Sequence, residues 1–223
     1  MIYLPVSLLL FVLLLLVLPF LWVFLTVDVV QAAAVKLGFS PEGAVLLFLA
    51  ILLGGAINIP LYRTETRVEL VEDVASLWLR QFWGIPLPQI KQSTVVALNV
   101  GGGLIPTVLA LYQFSRASVL AIAIVTAIVS GVSYLGSRVV PGIGIQMNPL
   151  IAPTTAALSA MLVTGFDHAA PVAFAGGVLG TLIGADILHL KEIQENTPGV
   201  LSIGGAGVFD GIALCGLFAL LLT

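Results

Sequence analysis

Near its N-terminus the chain carries the run Leu8-Leu-Leu-Phe-Val-Leu-Leu-Leu-Leu-Val-Leu18, in which every side chain is apolar. The apolar character extends over residues 2–27, which is longer than a signal-peptide core of about 7–15 residues and long enough to cross a bilayer as a helix. The strands of a membrane β-barrel would alternate apolar and polar side chains, and this run does not alternate. Backbone groups in lipid must find partners within their own segment, so the run predicts a retained transmembrane helix.

The composition of the whole chain agrees with this first segment. Of its 223 residues, 60% are hydrophobic and 9% are charged, whereas soluble domains carry about a quarter charged residues. We therefore expect an all-α, multi-pass protein of the cell membrane, with residues 1–223 forming a single transmembrane domain and membrane lipid as a partner. The net charge of −3 is spread along the chain without a basic cluster, so nucleic acid is not an expected partner.

Hydropathy predicts a bundle of about seven spans, at residues 2–27, 43–61, 93–114, 117–136, 149–165, 170–189 and 203–222. Basic residues divide unequally between the two sides of this arrangement. One side holds Arg63, Arg67, Arg80, Lys91, Arg138 and Lys191, and the other holds Lys36 and Arg116. The positive-inside rule therefore predicts a cytoplasmic N-terminus and a C-terminus outside the cell.

The longest predicted cytoplasmic loop, residues 62–92, has polar side chains at helical spacing. They are Glu69, Glu72, Asp73, Ser76 and Arg80, with Trp78 and Trp83 as interfacial anchors. This pattern predicts an amphipathic helix on the membrane surface between spans 2 and 3, closed by Gly84 and the prolines that follow it. A solvated face explains the charged stripe, and a gate or docking surface is the alternative.

Polar and small residues inside the predicted spans fall at a similar depth, in the third of the bilayer nearest the cytoplasm. Those expected to line a cavity or bind substrate are Asn58, Asn99, Gly101, Gly102, Pro153, Thr154, Gly207 and Gly211. Each also has an ordinary role in packing, because Asn and Thr bond between helices and glycines let backbones approach closely. Packing is the expected role of Gly176, Gly180 and Gly184, whose four-residue spacing is typical of a close helix contact.

Asp186 and Asp210 lie in the sixth and seventh predicted spans, which are antiparallel neighbours in sequence. An ionisable side chain within a span is costly to bury and marks a functional site by default. An interfacial position near a helix end is the alternative for Asp186. Asp210 is deeper, and its small neighbours leave space for a partner, a water molecule or a substrate backbone.

Over nearly its whole length the chain resembles an uncharacterised family of bacterial and archaeal membrane proteins. The segments that carry this resemblance are Gly55-Ala-Ile-Asn-Ile-Pro-Leu-Tyr-Arg63, Asn99-Val-Gly-Gly-Gly-Leu-Ile-Pro106, Val140-Pro-Gly-Ile-Gly144, Gly184-Ala-Asp186 and Gly204-Gly-Ala-Gly-Val-Phe-Asp-Gly211. That resemblance implies a membrane location.

The last two predicted spans are also similar to presenilin-like and preflagellin-peptidase-like intramembrane aspartyl proteases. In those proteins an Asp on one helix is followed by Gly-x-x-Asp on the next, as Asp186 is followed here by Gly207-Val-Phe-Asp210. Phe209 stands where the Gly-x-Gly-Asp form has its second glycine, and no Pro-Ala-Leu motif follows. This second resemblance implies that Asp186 and Asp210 are catalytic.

The leading hypothesis is therefore an intramembrane aspartyl endopeptidase that cleaves a transmembrane peptide near its cytoplasmic end. Two neighbouring carboxyls share a proton, so that one activates water while the other donates to the carbonyl. An ion- or proton-coupled transporter or channel is the alternative, using the same aspartates and helices broken by Gly and Pro. A non-catalytic scaffold or lipid-binding protein is the third possibility. No metal or cofactor is expected, because Cys215 stands alone and the two histidines lie on opposite predicted sides of the membrane.

Overall fold

The computed structural model of the chain describes residues 6–68, 90–140, 144–196, 199–205, 212–215 and 217. The protein is mostly helical, at 69% helix. It divides into two compact units, Met1–Leu49 and Ala50–Thr223.

The first unit contains helix α1, Val6–Lys36, and the start of helix α2, Pro41–Gly54. The turn between the two helices follows from local chemistry. Gly38 adopts a φ of 83°, a conformation that favours glycine after a helix end. The Ser40 hydroxyl then accepts the N–H of Gly43 at 3.1 Å, which satisfies one of the free amides at the start of α2.

Further helices lie in the second unit, and five of them have both ends within the described residues. They are α3 Ile105–Gln113, α4 Val119–Gly136, α5 Ile151–Thr164, α6 Ala169–Thr181 and α7 Leu190–Asn196. Two segments have the wider π-helical form: Val100–Leu104, directly before α3, and Leu182–Ile187, directly after α6. Helices α4, α5 and α6 pack against one another and form the helical core of this unit.

The described part of the same unit also includes five strands. They are β1 Asn58–Val68, β2 Ile90–Asn99, β3 Ser137–Val140, β4 Gly144–Met147 and β5 Gly199–Ile203. Strands β1, β2 and β5 form one sheet in that order, with β1 antiparallel and β5 parallel to β2. Strands β3 and β4 form a separate antiparallel pair.

These strands show that the expectation of an all-α fold is wrong. Helix α2 ends at Gly54. Positions 58–61 of the second predicted span and positions 93–99 of the third are strand. The physical reason lies in the side chains of Tyr62-Arg-Thr-Glu-Thr-Arg-Val68, where charged residues alternate with β-branched or aromatic ones. The predicted cytoplasmic segment at residues 62–92 is strand at both ends, and the amphipathic helix expected within it lies outside the described residues, at 69–89.

Several helices have the length and composition needed to cross a membrane. The three longest are Phe11–Lys36, Val119–Gly136 and Ala169–Ile187. Shorter apolar helical stretches are Pro41–Gly54, Val100–Gln113 and Ile151–Thr164. The seventh predicted span is described only at residues 203–205, 212–215 and 217, of which 212–215 are helical. Seven spans and the orientation of the termini therefore stay predictions.

The predicted close contact of Gly176, Gly180 and Gly184 is confirmed, and its partner is helix α4. A Cβ atom on Gly176 would lie 2.8 Å from Cβ of Val125, and one on Gly180 would lie 2.6 Å from Cβ of Val129. A Cβ on Gly184 would collide with the carbonyl of Ser130. The glycines thus let α6 approach the backbone of α4, and α6 continues from this contact into the π-helical segment that carries Asp186.

Candidate functional site

Asp186 lies in the π-helical segment Leu182–Ile187, and its side chain is buried, with 4% of the residue exposed. A wider π-helical turn inside an α-helix is often found at functional sites. Its Oδ2 accepts a hydrogen bond from the backbone N–H of Gly204 at 2.6 Å. The carboxyl is therefore fixed to the residue that directly follows strand β5.

Gly204 has two features that only glycine accommodates. Its φ is +70°, in the left-handed region. A Cβ atom would also lie 2.6 Å from the N of Gly103 and 2.7 Å from the carbonyl carbon of Gly102. The backbone after β5 thus lies directly against the first π-helical segment, Val100–Leu104.

Asn99, the last residue of β2, organises the start of that segment. Its Oδ1 accepts the N–H of Gly102 at 2.7 Å. Its Nδ2 donates to the carbonyl oxygen of Gly55 at 2.8 Å and to Oδ1 of Asn58 at 3.2 Å. The Asn99 residue is 4% exposed. Its side chain therefore joins three parts of the chain as a structural clamp, and its predicted cavity-lining role stays a prediction.

Asn58 links this clamp to the third strand of the sheet. Its Oδ1 also accepts the hydroxyl of Ser202 at 2.5 Å, and Asn58 itself is exposed. Oδ1 of Asn58, the first residue of β1, is therefore bonded to β5 through Ser202 and to the end of β2 through Asn99. Sequence reasoning did not include Ser202 or Gly204 among the site residues. The motif containing Gly204-Gly205 was recognised, but nothing local shows which residues contact it.

His189 is buried one turn beyond Asp186. Its Nδ1 lies 3.2 Å from the carbonyl oxygens of Gly184 and Ala185 and 3.4 Å from the hydroxyl oxygen of Ser137. Its ring stacks on Tyr134, with 4.6 Å between ring centroids. His189 therefore satisfies free carbonyl groups at the end of the π-helical segment, where such groups need partners.

The other predicted site residues have different surroundings. Gly101 and Gly102 are buried, and a Cβ on Gly101 would collide with the carbonyl oxygen of Ile51. Pro153 is buried within α5, and the Thr154 hydroxyl donates to the carbonyl oxygen of Leu150 at 2.6 Å. The hydrogen bonds of the described residues do not join Thr154 to Asp186, so packing within α5 is the role its geometry supports.

The remaining predicted residues, Gly207, Asp210 and Gly211, lie outside the described residues. Over the part of the chain that the structure describes, no group of three or more His, Cys, Asp or Glu residues could hold a metal ion.

Cys215, which follows these residues in sequence, contacts helix α6. Sγ of Cys215 lies 3.9 Å from the hydroxyl oxygen of Thr181, and a Cβ on Gly177 would lie 3.0 Å from the same sulfur. Gly204 contacts the Asp186 end of this helical stretch, whereas Cys215 contacts a more N-terminal position. The described residues on either side of the 206–211 segment therefore both contact this helical stretch, Gly204 at its C-terminal end and Cys215 at Thr181.

The long apolar helices are consistent with a membrane protein, and the candidate site within them is a buried carboxyl held among strand ends and π-helical segments. The chain belongs to the family described as protein of unknown function (DUF1614), whose model matches residues 52–222. This finding confirms the predicted membership of an uncharacterised family, and the matched region covers most of the second unit. No curated protein and no solved structure matches the chain. The resemblance to aspartyl proteases stays a prediction.

Proposed function

We propose that the protein is an intramembrane aspartyl endopeptidase in which Asp186 and Asp210 are the catalytic pair. Its substrate is a membrane-embedded peptide, cleaved near the cytoplasmic side. The proposal includes a multi-pass arrangement of seven spans in the cell membrane with a cytoplasmic N-terminus. The observation that carries it is a pair of contacts on either side of Asp210 in sequence: Gly204 bonds to Asp186, and Cys215 lies against Thr181.

These two contacts bracket Asp210 in sequence. Asp186 is five positions after Thr181, and Asp210 is five positions before Cys215. The proposal takes residues 210–215 as a helix antiparallel to the stretch from Thr181 to Asp186, so that positions equally far from the Thr181–Cys215 contact lie at similar heights. We therefore expect the two carboxyls at the same level, as a shared proton requires.

The chemistry needs one ionised carboxyl and one protonated carboxyl. The ionised group takes a proton from water, whose oxygen attacks the peptide carbonyl carbon while the protonated group donates to the carbonyl oxygen. The tetrahedral intermediate then breaks its C–N bond, and the amine leaves with a proton. Backbone that is neither helix nor closed barrel is tolerated at membrane depth only within protein or beside water. The strand ends around Asp186 are therefore compatible with a supply of water.

Strand β5 supports a peptide substrate in an extended conformation. It lies at an edge of its sheet, and among the described strands it pairs only with β2. It leads directly into Gly204, which bonds to Asp186. Extended peptides commonly bind by adding a strand to such an edge.

A cross-linking experiment tests the predicted geometry without a substrate. In a Cys215→Ala background, the pair Asp186→Cys and Asp210→Cys should be joined by a short bis-thiol reagent. The control pair, Asp167→Cys with Asp210→Cys, should not be joined, because Asp167 precedes α6 at its opposite end. Absence of the first cross-link in folded protein would contradict the catalytic pair.

Cleavage is tested with purified protein in liposomes and a library of single-span peptides. Replacing either aspartate by Asn should lower the cleavage rate by at least about a hundredfold, since an amide can supply neither proton-transfer role. The unfolding temperature should be retained, because Asn is nearly isosteric with Asp. Asp167→Asn, in an exposed position, is the matched control. Cleavage that persists in either active-site variant excludes the endopeptidase.

Ion- or proton-coupled transport is the second candidate. The observation that favours it is that two π-helical segments both contact Gly204, one through the Asp186 carboxyl and the other through the backbone of Gly102 and Gly103. Interrupted helices near a carboxyl are typical of ion sites in transporters. Transport predicts that Asp210→Asn alters pH- or ion-dependent flux into liposomes and that no peptide in the library is cleaved.

A further inference from the structure

Asn99 is connected to Asp186 through three successive contacts. The Asn99 Oδ1 accepts the N–H of Gly102 at 2.7 Å. The backbone of Gly102 and Gly103 lies against Gly204 with no room for a Cβ between them. The Gly204 N–H then donates to Asp186 Oδ2 at 2.6 Å. Because close-packed groups transmit displacement, movement at Asn99 reaches the carboxyl through atoms already in contact.

The Asn99 side chain is itself immobilised by three partners. Besides the bond to Gly102, its Nδ2 donates to Gly55 and to Asn58, which belong to a different part of the chain. A buried amide with its donors and acceptor engaged has one stable orientation. Asn99 therefore fixes the first π-helical segment relative to both the end of α2 and the start of β1.

We propose that Asn99 is a positioning residue that holds the Gly204 amide on Asp186 and thereby fixes the orientation of the reacting carboxyl. The inference rests on the proposed function in taking Asp186 as the group that reacts. The carbonyl oxygen of a protonated carboxyl is a better acceptor than its hydroxyl oxygen, so the bond from Gly204 to Oδ2 favours Oδ1 as the oxygen that carries the proton. In the proposed reaction Oδ1 therefore transfers the proton while Oδ2 remains bound to the backbone.

Two variants disturb this connection in different ways. Asn99→Ala removes the acceptor for Gly102. Gly103→Ala keeps Asn99 but adds a methyl group whose Cβ would lie 3.1 Å from the Ile203 carbonyl oxygen and 2.7 Å from the flexible Leu98 side chain. Gly103→Ala should therefore displace Ile203, the residue before Gly204, while retaining the fold. If Asn99→Ala does not fold, Gly103→Ala alone tests the positioning role.

Each variant has a matched control. Asn148→Ala removes an exposed Asn whose Oδ1 accepts the N–H of Leu150 at 3.0 Å, in a turn before α5. Gly131→Ala adds a methyl group in α4 with nothing within 4 Å. Neither control residue contacts Gly204 or Asp186 through the hydrogen bonds described above.

The first measurement is the infrared carboxyl band that disappears in Asp186→Asn. Asn99→Ala and Gly103→Ala should shift this band, and the two controls should leave it unchanged. This readout needs no substrate. If Asp186→Asn retains cleavage, the endopeptidase fails, but the band still decides whether Asn99 positions the carboxyl.

The second measurement is cleavage kinetics. Both test variants should lower kcat by roughly ten- to a hundredfold, because a small misplacement of a reacting group has that effect, while KM changes less than about twofold. The expected result is a shifted band with reduced kcat in the folded test variants. An unshifted band in folded Asn99→Ala or Gly103→Ala would overturn the positioning role.

Discussion

Gly184, in the π-helical segment that follows α6, lies directly against α4, where the carbonyl of Ser130 occupies the space that a side chain would need. Asp186 follows two residues later, so this glycine sets how close the candidate site lies to α4. The carbonyl belongs to a helix backbone and cannot rotate away as a flexible side chain can. An added methyl group must therefore separate the two helices.

We predict that Gly184→Ala lowers the free energy of unfolding by about 1–3 kcal/mol, as overpacking of a close contact does. Gly131→Ala, on an open surface of α4, should instead raise it by about 0.5–1 kcal/mol, because alanine has less freedom to lose on folding. The free energies of unfolding of both variants are measured in a mild detergent. Equal stability of the two variants would show that the α4–α6 contact is looser than described.

Asn58 and Asn99 differ sharply in exposure although they share a hydrogen bond. In a Cys215→Ala background, we expect Asn58→Cys to react with a membrane-impermeant thiol reagent in opened membranes. Asn99→Cys should react at least about tenfold more slowly, since reaction there needs local opening. Equal labelling rates would contradict the buried position of Asn99.

The sequence was informative about single polar residues where chemistry made them conspicuous. Asp186 was recognised because a carboxyl inside an apolar span is costly. Ser202 and Gly204 were missed because their significance lies in contacts with residues 144 and 18 positions away. No local pattern encodes such partners.

At the scale of elements, the helices were predictable and the large sheet was not. The apolar stretches of α4, α5 and α6 agree closely with the predicted spans at 117–136, 149–165 and 170–189. The residues of strands β1 and β2 were assigned to the neighbouring spans or to the cytoplasmic loop between them. The alternation from Tyr62 to Val68 was the available signal, and Arg63 and Arg67 within it were instead assigned to that loop.

The register of β1 and β2 gives a direct test of the hairpin. Arg63 lies opposite Val95. In a Cys215→Ala background, cysteines at these two positions should form a disulfide on mild oxidation, because residues directly opposite have Cβ atoms about 4.5–5.5 Å apart. Cysteines at positions 63 and 96 should not, since neighbouring residues on a strand face opposite sides. A bond in the second pair alone would show a register shifted by one residue.

At the scale of the whole molecule, the predicted orientation follows from the distribution of basic residues. Arg67 lies in β1 and Asp167 in the turn before α6, and these positions are predicted to face opposite sides. We expect Asp167→Cys to be labelled in intact cells by a membrane-impermeant reagent and Arg67→Cys only after permeabilisation. Labelling of Arg67→Cys in intact cells would reverse the proposed orientation.

The parallel pairing of β2 with β5 also fixes an order of events during synthesis. Thr94 pairs with Gly199, more than a hundred residues later, and α3 to α7 lie between them. A ribosome must therefore complete these helices before the sheet can gain its third strand, and contacts so distant in sequence form slowly. Gly204 directly follows β5, so the Asp186 carboxyl receives its backbone partner only after the chain has been synthesised past residue 204. A nascent chain of which only the first helices have been synthesised therefore lacks an assembled site. Membrane insertion of these helices is thus separated in time from any chemistry at Asp186.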